Sequence, residues 1–144
     1  MTQQPSQKNH LVWFKRDLRI TDHAPLMAAA NQGVVLGLFL FEPGLIQSDE
    51  YGSHHHRFIC EALRELIDRF RSLGGHFILR RGEALTVLET VYREWPFQSI
   101  SSHAETGNYF TYSRDKAVAL WCRENEIEWK EYRQDGVVRR LRTR

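Results

Sequence analysis

Residues 34–41 read Val34-Val35-Leu36-Gly37-Leu38-Phe39-Leu40-Phe41, with no polar member. An unbroken apolar run of this length suits a strand covered on both faces, as in a parallel sheet. A strand with one wet face would alternate instead. Upstream, Leu11-Val12-Trp13-Phe14 forms a shorter run of the same kind. Downstream come Phe77-Ile78-Leu79 and a weaker run over residues 97–101. Ile127-Glu128-Trp129 alternates and reads as an outer, fifth strand.

Helical patterns separate these runs. Asp22 is placed to cap the first helix, with Pro25 in its first turn and residues 26–30 inside. In the second, Phe58, Ala62, Leu63, Leu66, Ile67, Phe70 and Leu73 recur at helical spacing, and Gly74-Gly75 stop it. Residues 83–95 give a third, with Leu85, Leu88, Val91, Tyr92 and Trp95 inward, before Pro96. Residues 109–124 give a fourth. Strands and helices therefore alternate from end to end. The pattern predicts an α/β fold: a five-stranded parallel, doubly wound, Rossmann-like sheet of order 3-2-1-4-5 with helices on both faces.

The chain has 144 residues, the size of one domain. Apolar residues make up 42% and charged residues 26%, which excludes a disordered or collagen-like chain. No apolar run approaches the roughly 18 residues of a membrane-spanning helix. The polar start, residues 1–9, reads as a disordered segment without a signal sequence. Cys60 and Cys122 form no CxxC motif, so two free thiols in a reducing cytoplasm are expected. The formal charge is +2, but removing Arg139, Arg140, Arg142 and Arg144 brings it to −2. The body, residues 10–135, is thus no basic platform for nucleic acid, and the arginines form a local patch at the end.

In a doubly wound sheet, ligands bind beyond the carboxyl ends of the strands, where the strand order reverses. Strands one and four flank that crevice. Lys15-Arg16-Asp17-Leu18-Arg19 lines one wall and residues 102–108, Ser-His-Ala-Glu-Thr-Gly-Asn, the other; Glu42-Pro43-Gly44 is the neighbour. Together they offer cations, carboxylates, an amide and hydroxyls, enough to orient a polar aromatic ligand. GxGxxG, GxxxxGK[ST] and GxSxG are all missing, which argues against a dinucleotide fingerprint, P-loop phosphoryl transfer and a hydrolase elbow. His54-His55-His56 cannot converge on one ion, because adjacent helical residues diverge by about 100°. No metal site is expected, and no catalytic acid, base or nucleophile stands out.

Trp13-Phe14-Lys15-Arg16-Asp17-Leu18-Arg19, followed by Asp22-His23-Ala24-Pro25-Leu26, resembles the opening of DNA photolyases and cryptochromes. The likeness continues through Phe41-Glu42-Pro43, the Arg57-Phe58…Ala62-Leu63…Leu66 helix, Leu73-Gly74-Gly75…Arg80-Arg81-Gly82 and Arg114-Asp115. Residues 102–108 and 136–141 look like one bacterial subgroup. Members of that family are longer. A helical domain that holds FAD and meets the DNA lesion follows their N-terminal α/β domain. The resemblance therefore implies the N-terminal domain of a deoxyribodipyrimidine photolyase, a carbon-carbon lyase, or of a cryptochrome-like flavoprotein. Residues 136–144 would open the linker to the helical FAD domain. Damaged DNA would be met only through the whole protein, with no membrane involved.

The same resemblance implies an antenna. In the family this domain often holds methenyltetrahydrofolate, a deazaflavin or FMN, which passes excitation to the flavin. Carried onto this sequence, the contacts would be Lys15, Arg16, Phe41, Glu42, Arg57, His103, Glu105 and Asn108. The bland alternatives are an ion pair for Arg16, a core position for Phe41 and a surface pair with Glu61 for Arg57. Residues 103–108 depart from the usual Asn-carboxylate pair, which leaves the chromophore type open. Two rival functions stand beside the antenna. One is a chromophore-free structural domain docking on the flavin domain. The other is a nucleotide-binding α/β domain, weakened by the missing phosphate loop.

Overall fold

The computed structural model describes residues 8–15, 18, 23–43, 53–104, 109–133 and 138–140. Strand β1 (Asn9–Phe14) leads to helix α1 (Ala24–Ala30), β2 (Val34–Phe41), α2 (Ser53–Ser72), β3 (His76–Arg81), α3 (Ala84–Glu94), β4 (Ser99–His103), α4 (Tyr109–Glu124), β5 (Glu128–Tyr132) and β6 (Val138–Arg140). The sheet order is β3-β2-β1-β4-β5-β6. Its first five strands are parallel, in the order expected from the sequence. Strand β6 runs antiparallel to β5, pairing Lys130 with Arg140 and Tyr132 with Val138. These three residues lie in the stretch expected to lead out of the domain. They cover an edge that β5 would otherwise present, and a strand this short leaves no pattern to read.

Why the apolar runs are unbroken is visible in β1. Leu11 and Trp13 join a core on the α3/α4 side with Leu38, Leu40, Ile100 and Trp129. Val12 and Phe14 join the opposite core with Phe39, Leu63, Leu66 and Phe70. Successive side chains point to opposite faces, so a sheet covered twice needs apolar residues at every step. At Gly37, in register with Val12 and Phe77, a Cβ would lie 2.4 Å from Cδ2 of Phe77. The Phe77 ring thus occupies the space that a side chain there would need.

Helix boundaries follow the punctuation, with three differences. The N-cap of α1 is His23, whose Nδ1 accepts from Leu26 N–H at 3.1 Å; Asp22 lies outside the described residues. In α2, Phe58 is 67% exposed instead of inward. At about 100° per residue it falls more than a quarter-turn from the stripe made by Leu63, Leu66 and Phe70. Leu73 is also exposed, because the helix has ended and the chain turns through Gly74 at φ +81°. Among the described residues, no helix is long and apolar enough to cross a membrane.

Candidate functional site at the carboxyl rim

The winding of the chain reverses at β1. It runs outward through β2 and β3, then returns to β4 on the other side. Phe14 ends β1 and Lys15 follows it, Phe41 ends β2 and Glu42 follows it, and His103 ends β4. The alternation of side chains sorts these groups onto two sides of the sheet.

On the α4 side the rim is ionic. Arg114, on the buried face of α4 with Thr111 and Val118, donates from Nη1 to Oε1 of Glu42 at 2.9 Å. Its Nε donates to Oδ1 of Asp115, also at 2.9 Å. Lys15 Nζ stands 4.0 Å from the same Asp115 oxygen, with its side chain 4% exposed. Beneath these charges, the rings of Trp13 and Trp129 stack with centroids 6.0 Å apart. Lys15 Nζ lies 4.5 Å from the Trp13 centroid, and Cζ of Arg114 lies 5.0 Å from it. Trp129 Nε1 donates to Ser102 Oγ at 3.0 Å. Charge-assisted bonds in so dry a setting are strong and directional, which sets the relative position of α4, β1 and β2.

On the α1 side the rim is aromatic. The buried rings of His23 and His103 meet edge to face at 4.6 Å, and Phe14 packs on His23 at 4.6 Å. Phe41 is half-buried, edge-on to Phe39 at 5.0 Å. Arg57 is exposed on α2.

The sequence-derived candidates are therefore distributed. Lys15 and Glu42 come together through Asp115 and Arg114. His103 sits across the sheet from them. Phe41 packs against the α1/α2-side core. Arg16, Glu105 and Asn108 lie outside the described residues. Arg114, Trp13, Trp129 and His23 also line the rim and lie outside that set of candidates. Arg114 could have been found: it stands three residues after Thr111 and four before Val118, on the inward stripe of α4.

Away from the rim, at the amino end of the sheet, His10 is buried, and its Nδ1 lies 2.6 Å from Ser99 Oγ. Burial holds its pKa below the ordinary 6.5, opposed by the Gln32 backbone carbonyl, which favours the protonated ring. Burial also pushes the Cys122 thiol up to about 12. Among the described residues, no group of three His, Cys, Asp or Glu side chains is arranged to hold a metal ion.

The DNA photolyase family profile matches residues 10–142. Cryptochrome DASH of Gloeobacter violaceus is 30% identical over 122 residues, covering 80% of this chain and 24% of that protein. The (6-4)DNA photolyase of Arabidopsis thaliana is 25% identical over 121 residues, covering 76% and 22%. In structure, a bacterial class III photolyase from Agrobacterium tumefaciens superposes with a TM-score of 0.81 at 20% identity, over 92% of this chain and 27% of that one. A Synechocystis cryptochrome gives 0.78 at 21% identity, over 92% and 28%. The chain thus spans about a quarter of the length of these relatives. With nearly its whole length under one family profile and the doubly wound fold to match, the chain belongs to the DNA photolyase family and carries the N-terminal α/β domain of photolyases and cryptochromes.

Proposed function

We propose that this chain is the light-harvesting domain of a photolyase- or cryptochrome-type flavoprotein. In this reading a flat conjugated chromophore, methenyltetrahydrofolate, a deazaflavin or FMN, sits at the carboxyl rim. The observation that carries it is the reversal of strand order at β1 and β4, where a doubly wound sheet opens to ligands. The half-buried ring of Phe41 can pack on such a chromophore, and the exposed guanidinium of Arg57 can pair with its carbonyl or phosphate oxygens. Lys15 and Glu42 fit less directly, because the Arg114–Asp115 cluster engages them; they would shape the floor. The chromophore supplies the absorption, and the protein holds it rigid at a fixed distance from its acceptor. FAD would belong to the helical domain of the whole protein, the partner of this one. Electron donation to a pyrimidine dimer, or light signalling, would happen there.

Titrating the chain with each of the three chromophores tests this reading. A red-shifted absorption band and a raised Tm with one of them support it. No shift and no stabilisation with any of the three overturns it. The second reading, a chromophore-free structural domain that docks on the flavin domain, draws on the ion-paired rim and on the exposed rings of Phe58, Tyr109 and Tyr112. It requires self-association or binding of an apolar dye by the chain alone, which sedimentation and fluorescence would detect.

A further inference from the structure

The chain's four tryptophans all lie on one side of the sheet. Trp13 and Trp129 are buried in the α3/α4-side core, and Trp95 and Trp121 pack against it. The opposite core combines aliphatic residues with phenylalanines, Phe14, Phe39 and Phe70 being buried and Phe77 packed on them, and holds no indole. Ring contacts group the indoles into two pairs. Trp95 stands 6.5 Å from Phe97, and Phe97 stands 6.4 Å from Trp121. Nearest the rim, Trp13 and Trp129 stack at 6.0 Å with their planes 29° apart. Both are nearly inaccessible to water, at 1% and 4% exposure.

We propose that this tryptophan layer is a second, shorter-wavelength antenna, which collects ultraviolet light and delivers the excitation through the Trp13–Trp129 pair to a chromophore at the rim. The inference rests on the light-harvesting reading above and adds a donor to it. Indole absorbs far more strongly than phenylalanine, so segregating all four tryptophans makes one side of the sheet the absorber. Indole emission falls in the near ultraviolet, where folates, deazaflavins and flavins absorb. Dipolar transfer falls steeply with distance, and a domain of this size has a radius of gyration of roughly 15 Å, so Trp95 and Trp121, toward the amino end of the sheet, are within transfer range of the Trp13–Trp129 pair nearer the rim. Stacking couples Trp13 to Trp129, and the coupled pair has a lower excited state than a lone indole. Lys15 Nζ lies over both rings, 4.5 Å from Trp13 and 5.4 Å from Trp129, while the Arg114 guanidinium lies over Trp13, and this uneven charge makes the two partners unequal in energy. Burial fixes both rings in orientation, on which transfer depends. Only energy moves; no bond changes and no electron leaves.

The test uses the whole chain. Near-ultraviolet circular dichroism of the chain alone should show a paired band of opposite signs that Trp129→Phe abolishes. With a bound chromophore, indole emission should fall, and the excitation spectrum of chromophore emission should gain an indole band beyond the free chromophore's own. At saturating chromophore, Trp13→Phe and Trp129→Phe should each remove most of that band, and Trp95→Phe should remove less. Binding with undiminished indole emission and no added band overturns this proposal and leaves the light-harvesting reading intact. An added band that none of the variants changes overturns the role of the rim pair. Failure to bind any of the three chromophores overturns both readings.

Discussion

The guanidinium of Arg114 and the carboxylate of Glu42 meet at 2.9 Å although 72 residues separate them, with side chains only 5% and 4% exposed. Their pairing locks α4 to the end of β2. Removing one partner leaves a buried charge, which costs far more than the pair contributes net. Arg114→Ala should therefore destabilise the fold by about 3–5 kcal/mol. The double variant Arg114→Met/Glu42→Gln should recover much of that loss, as urea denaturation of the three proteins would reveal. A loss below about 1 kcal/mol in the single variant would mean that the pair is solvated like a surface ion pair.

His10 should make stability fall in mild acid. Its folded pKa lies below the ordinary 6.5 because burial disfavours the charged ring, while Lys8 and Lys130 lower it and Glu128 and the Gln32 carbonyl raise it. The unfolded chain then binds the proton more readily, so stability is full above about pH 6.5 and declines toward the folded pKa. Tm measured from pH 7.5 downward should drop across that window. His10→Gln should flatten this part of the profile; an unchanged slope would assign the decline to other groups.

Gly37→Ala should cost about 1–3 kcal/mol by overpacking. Its Cβ would approach Phe77 Cδ2 to 2.4 Å and Phe70 Cζ to 3.1 Å. Pairing the substitution with Phe77→Leu should recover part of the loss, which a double-mutant cycle by thermal melting would measure.

Cys122 should resist thiol reagents in the folded chain. It is 2% exposed and its pKa is pushed up to about 12, so almost no thiolate forms at neutral pH. Cys60 is half-buried on α2 and should react first. Titration should count one fast thiol in the native chain and two in denaturant; equal rates would mean that α4 opens readily.

Much of the fold was legible because its signals are local. The continuous run 34–41, the stop at Gly74-Gly75 and the span 109–124 needed only side-chain period and turn chemistry. Strand β4 begins two residues after the start of the weaker run at 97–101, since Ser99, Ser101 and Ser102 hide a buried strand behind small polar side chains. Phe58 shares the helical spacing through Ala62, four residues on, yet its angle on α2 puts it at the margin of the buried stripe and it is exposed.

The rim was less legible. Lys15 and Glu42 could be placed at strand ends by counting. That Glu42 turns to an arginine 72 residues away depended on how α4 lies across β1 and β2. The split of the rim into an ionic and an aromatic side follows from strand parity once the register is known, and register is a property of paired strands. Hydrophobic period and turn residues act within a few neighbours, so element order and strand order follow from the chain directly. Ion pairs, ring stacks and proton affinities depend on groups distant in sequence that share a dry space, and only packing brings those groups together.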